Sequence, residues 1–341
     1  MHNTQKDGTM DNDIKYGAEE IVLALYRSIL VRDPSPQEVS ELAGKLRSGF
    51  PLYRIAYTLI LSAEFREKGV VAMNHLDILP ANPINYHLPE GARTRLWQHM
   101  AKVWGKLGSE DPYWSVITQD EYRLAQMSRP ERIEQFYNSG REELERAESY
   151  MARHGSVIPQ DGVCVDYGCG VGRVTLWLAR RFRKVIAVDV SQHHIDLARH
   201  NLQKRGVNNV EFHLLRGPED LAVLRGVQFF YSVIALQHNP PPLIVEILNA
   251  VFHGLEKRGC AFFQVPTYAV GYSWEFQNYV NQTLSKESME LHALPQSMIL
   301  YLAINAGCLP LEIQPDVYVG IPQWISNTFF LTKVRESFIV Q

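Results

Sequence analysis

One stretch constrains the fold of this chain more than any other: Val163-Cys-Val-Asp-Tyr-Gly-Cys-Gly-Val-Gly-Arg173. An apolar strand runs into an acid, turns through glycines and enters a helix expected over 171–182. Glycine permits backbone conformations that a Cβ forbids, so such a turn can bring main chain close to a ligand. The segments that follow keep the same rhythm. Strands are expected over 184–190, 210–215, 228–235, 260–265, near 309–314 and over 328–333. Between them lie expected helices over 192–205, 241–255 and 295–306, and an insertion near 267–294. Alternation of this kind predicts an α/β fold with a doubly wound, mostly parallel sheet.

Two acids narrow the ligand. In a pyrophosphate-binding turn the pattern is G-x-G-x-x-G, and the helix N-terminus holds the phosphates. Here the third glycine comes one residue early and Asp166 sits just upstream, where a carboxylate would repel pyrophosphate but suit a cationic amino-acid end. Asp189 lies 23 positions after Asp166, in Ala187-Val-Asp-Val-Ser191, at the tip of the second strand. A carboxylate at that tip can accept both hydroxyls of a ribose. The pair therefore implies a nucleoside ligand without a diphosphate. Ser191 is expected to cap the next helix.

These residues resemble the class I S-adenosylmethionine-dependent methyltransferases, over roughly 131–335. The resemblance implies a seven-stranded methyltransferase sheet with an antiparallel last strand, and S-adenosyl-L-methionine as cofactor. It implies a cofactor site drawn from Asp166, Gly168, Cys169, Gly170, Asp189, Val190, Asp220 and Gln237. Asp166, Gly168 and Gly170 would line the methionine end, Asp189 the ribose and Asp220 the adenine. Phe136-Tyr137-x-Ser-Gly140 resembles a lid helix, through which Tyr137 would reach the cofactor. Ala235-Leu-Gln-His-Asn-Pro-Pro241 is similar to a variant found in relatives that act on small molecules and glycans. The acid common early in strand four of the family is missing from Gln228-Phe-Phe-Tyr231.

Upstream the chain reads differently. Residues 1–18 are a polar lead, expected to be disordered, and 19–70 a helical accessory domain. Ile21, Leu25 and Ile29 recur at helical spacing, and Ser35-Pro-x-Glu38 forms a capping box with proline at the first helical position. Helices are expected to 48 and over 52–61, with a short turn over 62–69. Leu25-Tyr-Arg-Ser-Ile-Leu-Val-Arg-Asp-Pro-Ser-Pro36 and Leu61-Ser-Ala-Glu-Phe65 resemble a small helical domain often fused to enzymes of bacterial surface polysaccharide synthesis. That resemblance implies docking to a partner biosynthetic enzyme. Residues 71–130 carry Trp97, Trp104, Tyr113 and Trp114, too aromatic for a free linker, and are expected to pack as a connector. Within it Asp111-Pro-Tyr-Trp-Ser-Val116 could form an acceptor wall. Residues 131–138 are expected as one helix, and Ser139-Gly-Arg-Glu142 as the capping box of another running to 154.

Composition removes other classes. With 34 Lys plus Arg against 37 Asp plus Glu, the formal charge is −3, which argues against a large phosphate-binding face and a nucleic-acid partner. The four cysteines, Cys164, Cys169, Cys260 and Cys308, lack zinc or disulfide spacing, so no metal is expected. No apolar run reaches the roughly 18–20 residues of a membrane helix, and no secretory signal is seen, so a cytoplasmic location is expected.

The function implied is methyl transfer to a sugar hydroxyl of a glycan or nucleotide-linked sugar. A hydroxyl is a poor nucleophile, so a neighbouring base must take its proton. His238, just past the fourth strand, and His292, inside the insertion, are the candidate catalytic residues. His193 and His194 are expected to be solvated, and Arg173 to be a surface or packing residue. The alternatives are a small-metabolite methyltransferase and a non-catalytic scaffold of the same fold.

Overall fold

The computed structural model describes residues 17–30, 32–50, 52–60, 62, 64, 82–157, 161–284 and 286–334. The chain forms two compact units, divided between Ala81 and Asn82. Residues 1–16 of the polar lead lie outside the described residues, as does nearly all of the turn expected over 62–69.

The first unit is helical. Helix α1 (Ala18–Leu25) continues into a wider turn, Tyr26–Leu30, and is followed by α2 (Pro36–Arg47) and α3 (Leu52–Ile60). The capping box at the start of α2 forms as expected: Glu38 N–H donates to Ser35 Oγ at 3.3 Å, and Ser35 N–H donates to Glu38 Oε2 at 2.7 Å. The buried stripe of α1 is Val22, Tyr26 and Leu30, not the expected stripe one residue earlier. Ile21 and Leu25 are half-buried at its edge. Both stripes have helical spacing, so periodicity does not choose between them; packing onto Ala43, Ile55 and Leu59 does.

In the second unit a seven-stranded sheet runs in the order β3-β2-β1-β4-β5-β7-β6. Its strands are β1 (Val163–Tyr167), β2 (Lys184–Asp189), β3 (Val210–Leu214), β4 (Val227–Ser232), β5 (Leu255–Ala269), β6 (Cys308–Asp316) and β7 (Trp324–Lys333). Only β7 is antiparallel to its neighbours. Phe-Phe pairs on three strands show how the sheet is sandwiched, because successive side chains of a strand point to opposite faces. Phe230, Phe263 and Phe329 pack with α4 (Ala92–Glu110), α8 (Pro241–Gly254) and α10 (Gln296–Asn305). Their neighbours Phe229, Phe262 and Phe330 pack with α5 (Pro130–Arg153) and α6 (Thr175–Arg181). The remaining helices are α7 (Gln192–Lys204), after β2, and α9 (Phe276–Gln282), inside the insertion.

Two local expectations are corrected. There is no helix break at 139: α5 is one 24-residue helix. Ser139 Oγ, instead of capping, donates to the Phe136 carbonyl and accepts from Arg173 Nη1. Gly140 sits mid-helix because a Cβ there would lie 2.3 Å from the Arg173 carbonyl oxygen. Helix α6 starts at Thr175 rather than 171, because the glycine turn occupies the intervening residues. Residues 82–130 pack as part of the second unit, with α4 as their main element.

Strand order reverses at β1, which pairs with β2 on one side and β4 on the other. In open α/β sheets ligands bind outside the carboxyl ends of the strands at such a point.

Candidate active site

A cavity of about 840 Å³, open solvent included, lies at that switch point. Its sheet-side wall comes from the glycine turn, Asp166, Arg173, Asp189, Val190 and the segment after β4. Trp104, Ser115 and Val116 form the opposite wall, so two residues of the segment 111–116 line the cavity.

The turn after β1 needs its glycines for two reasons. Gly168 and Gly170 have φ of +74° and +51°, in the left-handed region. A Cβ on Gly168 would meet Ala235 Cβ at 2.3 Å, and one on Gly170 would meet Val116 Cγ2 at 2.6 Å. The turn is tied to β2 by Asp189, whose Oδ2 accepts from Gly170 N–H at 2.8 Å and whose Oδ1 accepts from Ser191 N–H at 2.9 Å. Each carboxylate oxygen keeps a lone pair for a ligand hydroxyl. Ser191 caps α7 as expected, its Oγ accepting from His194 N–H.

Asp166 is 3% exposed, and Thr175 Oγ1 donates to its Oδ2 at 2.5 Å. Burial pushes its carboxyl up to about 7, against the Thr175 hydrogen bond and the Arg173 charge that oppose the shift. Arg173 is no surface residue: it is 8% exposed and lines the cavity, and its buried Nε has no partner. His194 corrects another expectation. It is 1% exposed and lines the cavity, whereas His193 is exposed. Its place in the first turn of α7, three residues after the cap, was the available signal: helical side chains lean toward the N-terminus, here toward Asp189.

His238 also lines the cavity. Its tautomer follows from a hydrogen-bond chain anchored at both ends. Ile234 N–H donates to Gln264 Oε1, Gln264 Nε2–H to Gln237 Oε1, and Gln237 Nε2–H to His238 Nε2 at 3.3 Å. At the far end His238 Nδ1–H donates to the Glu290 carbonyl at 2.7 Å. Nε2 is thus the lone-pair nitrogen. Burial holds the ring down at about 4, outweighing the Glu290 carbonyl that favours the proton. Ile234, at the head of the chain, has φ +56°, a costly conformation for a β-branched residue and one held here at the cavity wall.

His292 is placed differently. It is 5% exposed and absent from the cavity lining; Nε2 lies 3.0 Å from Glu290 Oε2 and Nδ1 2.9 Å from the Tyr272 hydroxyl. Glu290, which sequence reasoning missed, is the centre of this cluster. His99 Nε2 lies 2.7 Å from Oε1, and the Tyr279 hydroxyl donates to Oε2 at 2.9 Å. Burial pulls the Glu290 carboxyl upward, but hydrogen bonds from His292 and His99 prevail and hold it at about 2. The cluster fastens the insertion to α4 and fixes the carbonyl that orients His238.

The remaining expected cofactor contacts divide. Cys169 and Val190 line the cavity. Tyr137 does not: it is fully buried, donates its hydroxyl to the Val171 carbonyl and lies under the Arg205 guanidinium. It is a packing residue that supports the turn from behind. Asp220 is also outside the lining, because its Oδ2 accepts from Arg216 N–H in a local turn. Gln237 is turned into the chain that holds His238. Among the described residues no group of acidic, His and Cys side chains could hold a metal ion, and no helix is long and apolar enough to cross a membrane.

The methyltransferase-domain family matches residues 164–259, which span β1 to the start of β5 and carry both acids and the glycine turn. The second unit is a class I S-adenosylmethionine-dependent methyltransferase domain. The domain is similar over 69 residues, at 41% identity, to a tRNA/tmRNA (uracil-C(5))-methyltransferase of Nitratiruptor sp., covering 20% of this chain and 19% of the relative. It is also similar to an S-adenosyl-L-methionine-dependent Diels-Alderase of Neonectria sp., at 34% over 64 residues, covering 19% of this chain and 26% of that one. The chain thus spans about a fifth of the length of the curated relatives it matches. Among solved structures, a magnesium protoporphyrin IX methyltransferase of Synechocystis with bound SAH aligns at 14% identity and TM-score 0.49, covering 70% of this chain and 99% of that one.

Proposed function

We propose that the chain is an S-adenosylmethionine-dependent O-methyltransferase in which His238 is the general base and the acceptor is a sugar hydroxyl. The observation that carries this reading is the orientation of His238, whose lone pair is fixed by hydrogen bonds at both ends in a cavity lined by Asp166 and Asp189.

The residues fit the cofactor. Asp166 and the unpartnered Nε of Arg173 present one anion and one cation to the same cavity, as a zwitterionic amino-acid end requires. Asp189 would take the ribose. When bound, the cofactor supplies an electrophilic methyl group on a sulfonium.

The chain's own part is to orient the acceptor, exclude water and take a proton. His238 Nε2 receives the proton of the acceptor hydroxyl as its oxygen gains the methyl. Because burial keeps the ring near 4, it is neutral at pH 7, and its Nε2 lone pair, which accepts from Gln237 Nε2–H at 3.3 Å, takes the hydroxyl proton once that amide gives way. A base this weak suffices, since a hydroxyl oxygen becomes strongly acidic as the methyl arrives. His292, which is absent from the cavity lining, supports the insertion instead.

The acceptor class rests on three points. Trp104 lies 5.0 Å from the His238 ring, an apolar face of the kind that packs on sugar CH groups. The charge of −3 does not favour a phosphate backbone. The resemblance of residues 19–68 to modules of surface-polysaccharide enzymes supports a glycan or nucleotide-linked sugar.

An RNA uracil is the second reading, favoured by the names of curated relatives. Carbon methylation of a pyrimidine calls for an activated nucleophile to add to the ring. Burial pushes all four thiols up, Cys308 to about 12, which weighs against it. Radiolabelled methyl transfer to a panel of sugar nucleotides and glycans, with bulk RNA alongside, tests the choice. Label in RNA alone overturns the sugar reading. Thermal unfolding with S-adenosylhomocysteine tests the cofactor, since a native-state ligand must raise stability.

A further inference from the structure

His194 and Asp189 both line the cavity, with His194 Nδ1 3.8 Å from Asp189 Oδ1, too far for a hydrogen bond. Nδ1 is buried and has no partner. The other nitrogen, Nε2, lies 2.9 Å from Ser115 Oγ. Ser115 has one hydroxyl hydrogen and donates it to the Pro112 carbonyl at 3.0 Å. It must therefore accept from His194, which puts the hydrogen of the neutral ring on Nε2 and leaves a lone pair on Nδ1. That tautomer is assigned from the hydrogen-bond network.

The result is a buried acceptor facing a second acceptor. Two lone-pair groups at this separation gain nothing from each other, and an unsatisfied buried polar atom is costly. The pair is complemented by two donors set side by side, one for each. A vicinal diol has that chemistry. Among the described residues no group of three acidic, His or Cys side chains could hold a metal ion here, and a phosphate brings no donors at all.

We propose that His194 is a specificity residue that accepts one hydroxyl of the ribose while Asp189 accepts the other, so that the site reads the intact diol of its nucleoside ligand. This deepens the cofactor reading above and rests on it. Ser115, reaching over from the turn after α4, is the positioning residue that fixes the tautomer.

Calorimetry separates this proposal from the cofactor assignment. Wild type, His194→Leu and Ser115→Ala are each titrated with S-adenosylhomocysteine and with its 2′-deoxy and 3′-deoxy analogues. Wild type is expected to bind S-adenosylhomocysteine, and His194→Leu to bind it about tenfold more weakly, the cost of one lost hydrogen bond to a buried acceptor. For one of the two deoxy analogues, the variant and wild type should bind alike, because the hydroxyl that His194 would accept is already gone. Ser115→Ala, a smaller change for the fold, should show a weaker loss confined to the same hydroxyl. A loss that is equal for all three ligands, or no loss at all, overturns the role of His194 while leaving the cofactor reading intact. Failure of wild type to bind S-adenosylhomocysteine overturns both.

Discussion

The sheet-edge wall of the cavity presents backbone turns and carboxylates; the wall from α4 and the turn after it presents a Trp ring, a hydroxyl and a methyl-bearing side chain. The first wall joins the glycine turn, the tip of β2 and the segment after β4, which strand order brings to one edge of the sheet. The second comes from one short stretch, Trp104 to Val116, whose side chains meet two histidines of the sheet side. The difference separates two tasks. Charge on the sheet edge suits holding a cationic, hydroxyl-bearing cofactor, which every methyl transfer needs. The Trp104 ring on the opposite wall suits choosing the acceptor.

The sharpest way to break that division is at His238, which belongs to the sheet side but touches the ring wall. His238→Ala should lower turnover by about 10²–10⁴, the usual contribution of a general base, while S-adenosylhomocysteine affinity stays within about twofold. Steady-state rates with the first acceptor that turns over, beside calorimetry, check both halves. Equal loss in binding and turnover would place His238 in the cofactor site. Next in size is Asp189→Ala. It should weaken cofactor binding by roughly 1–3 kcal/mol, the worth of hydrogen bonds to a charged acceptor, with little change in acceptor KM. Unchanged affinity by calorimetry would remove Asp189 from the charged wall.

A third substitution tests whether the sheet wall leans on α5. In Gly140→Ala the added Cβ would press on the Arg173 carbonyl. Overpacking of this kind costs about 1–3 kcal/mol, read as a lower urea midpoint at unchanged slope. Because Arg173 must shift to make room, cofactor affinity should fall as well. A variant of wild-type stability would mean that helix and turn slide apart freely.

How much of this was legible follows the same line. Asp166 and Asp189 could be read because a strand fixes where its last residue lies, and strand order brings both to one edge. Arg173 and His194 could not, although both are in or beside the motif. Their direction depends on where the turn gives way to helix, and apolar periodicity does not record that. Glu290 escaped because nothing in Met289-Glu-Leu-His292 marks a buried carboxylate; its partners are His99 from α4, Tyr279 from α9 and His292 two residues on. Ser139 misled for a related reason. A Ser-x-x-Glu pattern reads as a helix start, yet the same serine can bond a carbonyl of the preceding turn inside a continuous helix.

Asp166 offers the smallest and most specific test of the charged wall. Its folded carboxyl is raised to about 7 from an ordinary 3.8, so the empty protein binds a proton there that the unfolded chain has lost. By linkage, the stability from this group is present below the unfolded value and is lost as pH rises through 7. Relative to Asp166→Asn, the wild type should therefore lose unfolding free energy between pH 4 and pH 8. Ligand binding has the opposite sign. A cationic amino-acid end needs the carboxylate, so S-adenosylhomocysteine affinity should rise as pH increases toward 7 and level off above it. One proton released per site on binding limits the gain to about tenfold per pH unit. Asp166→Asn should flatten both curves together. If only the stability curve flattens, Asp166 is buried next to the ligand without touching its cation, and the anion on the sheet wall is Asp189 alone.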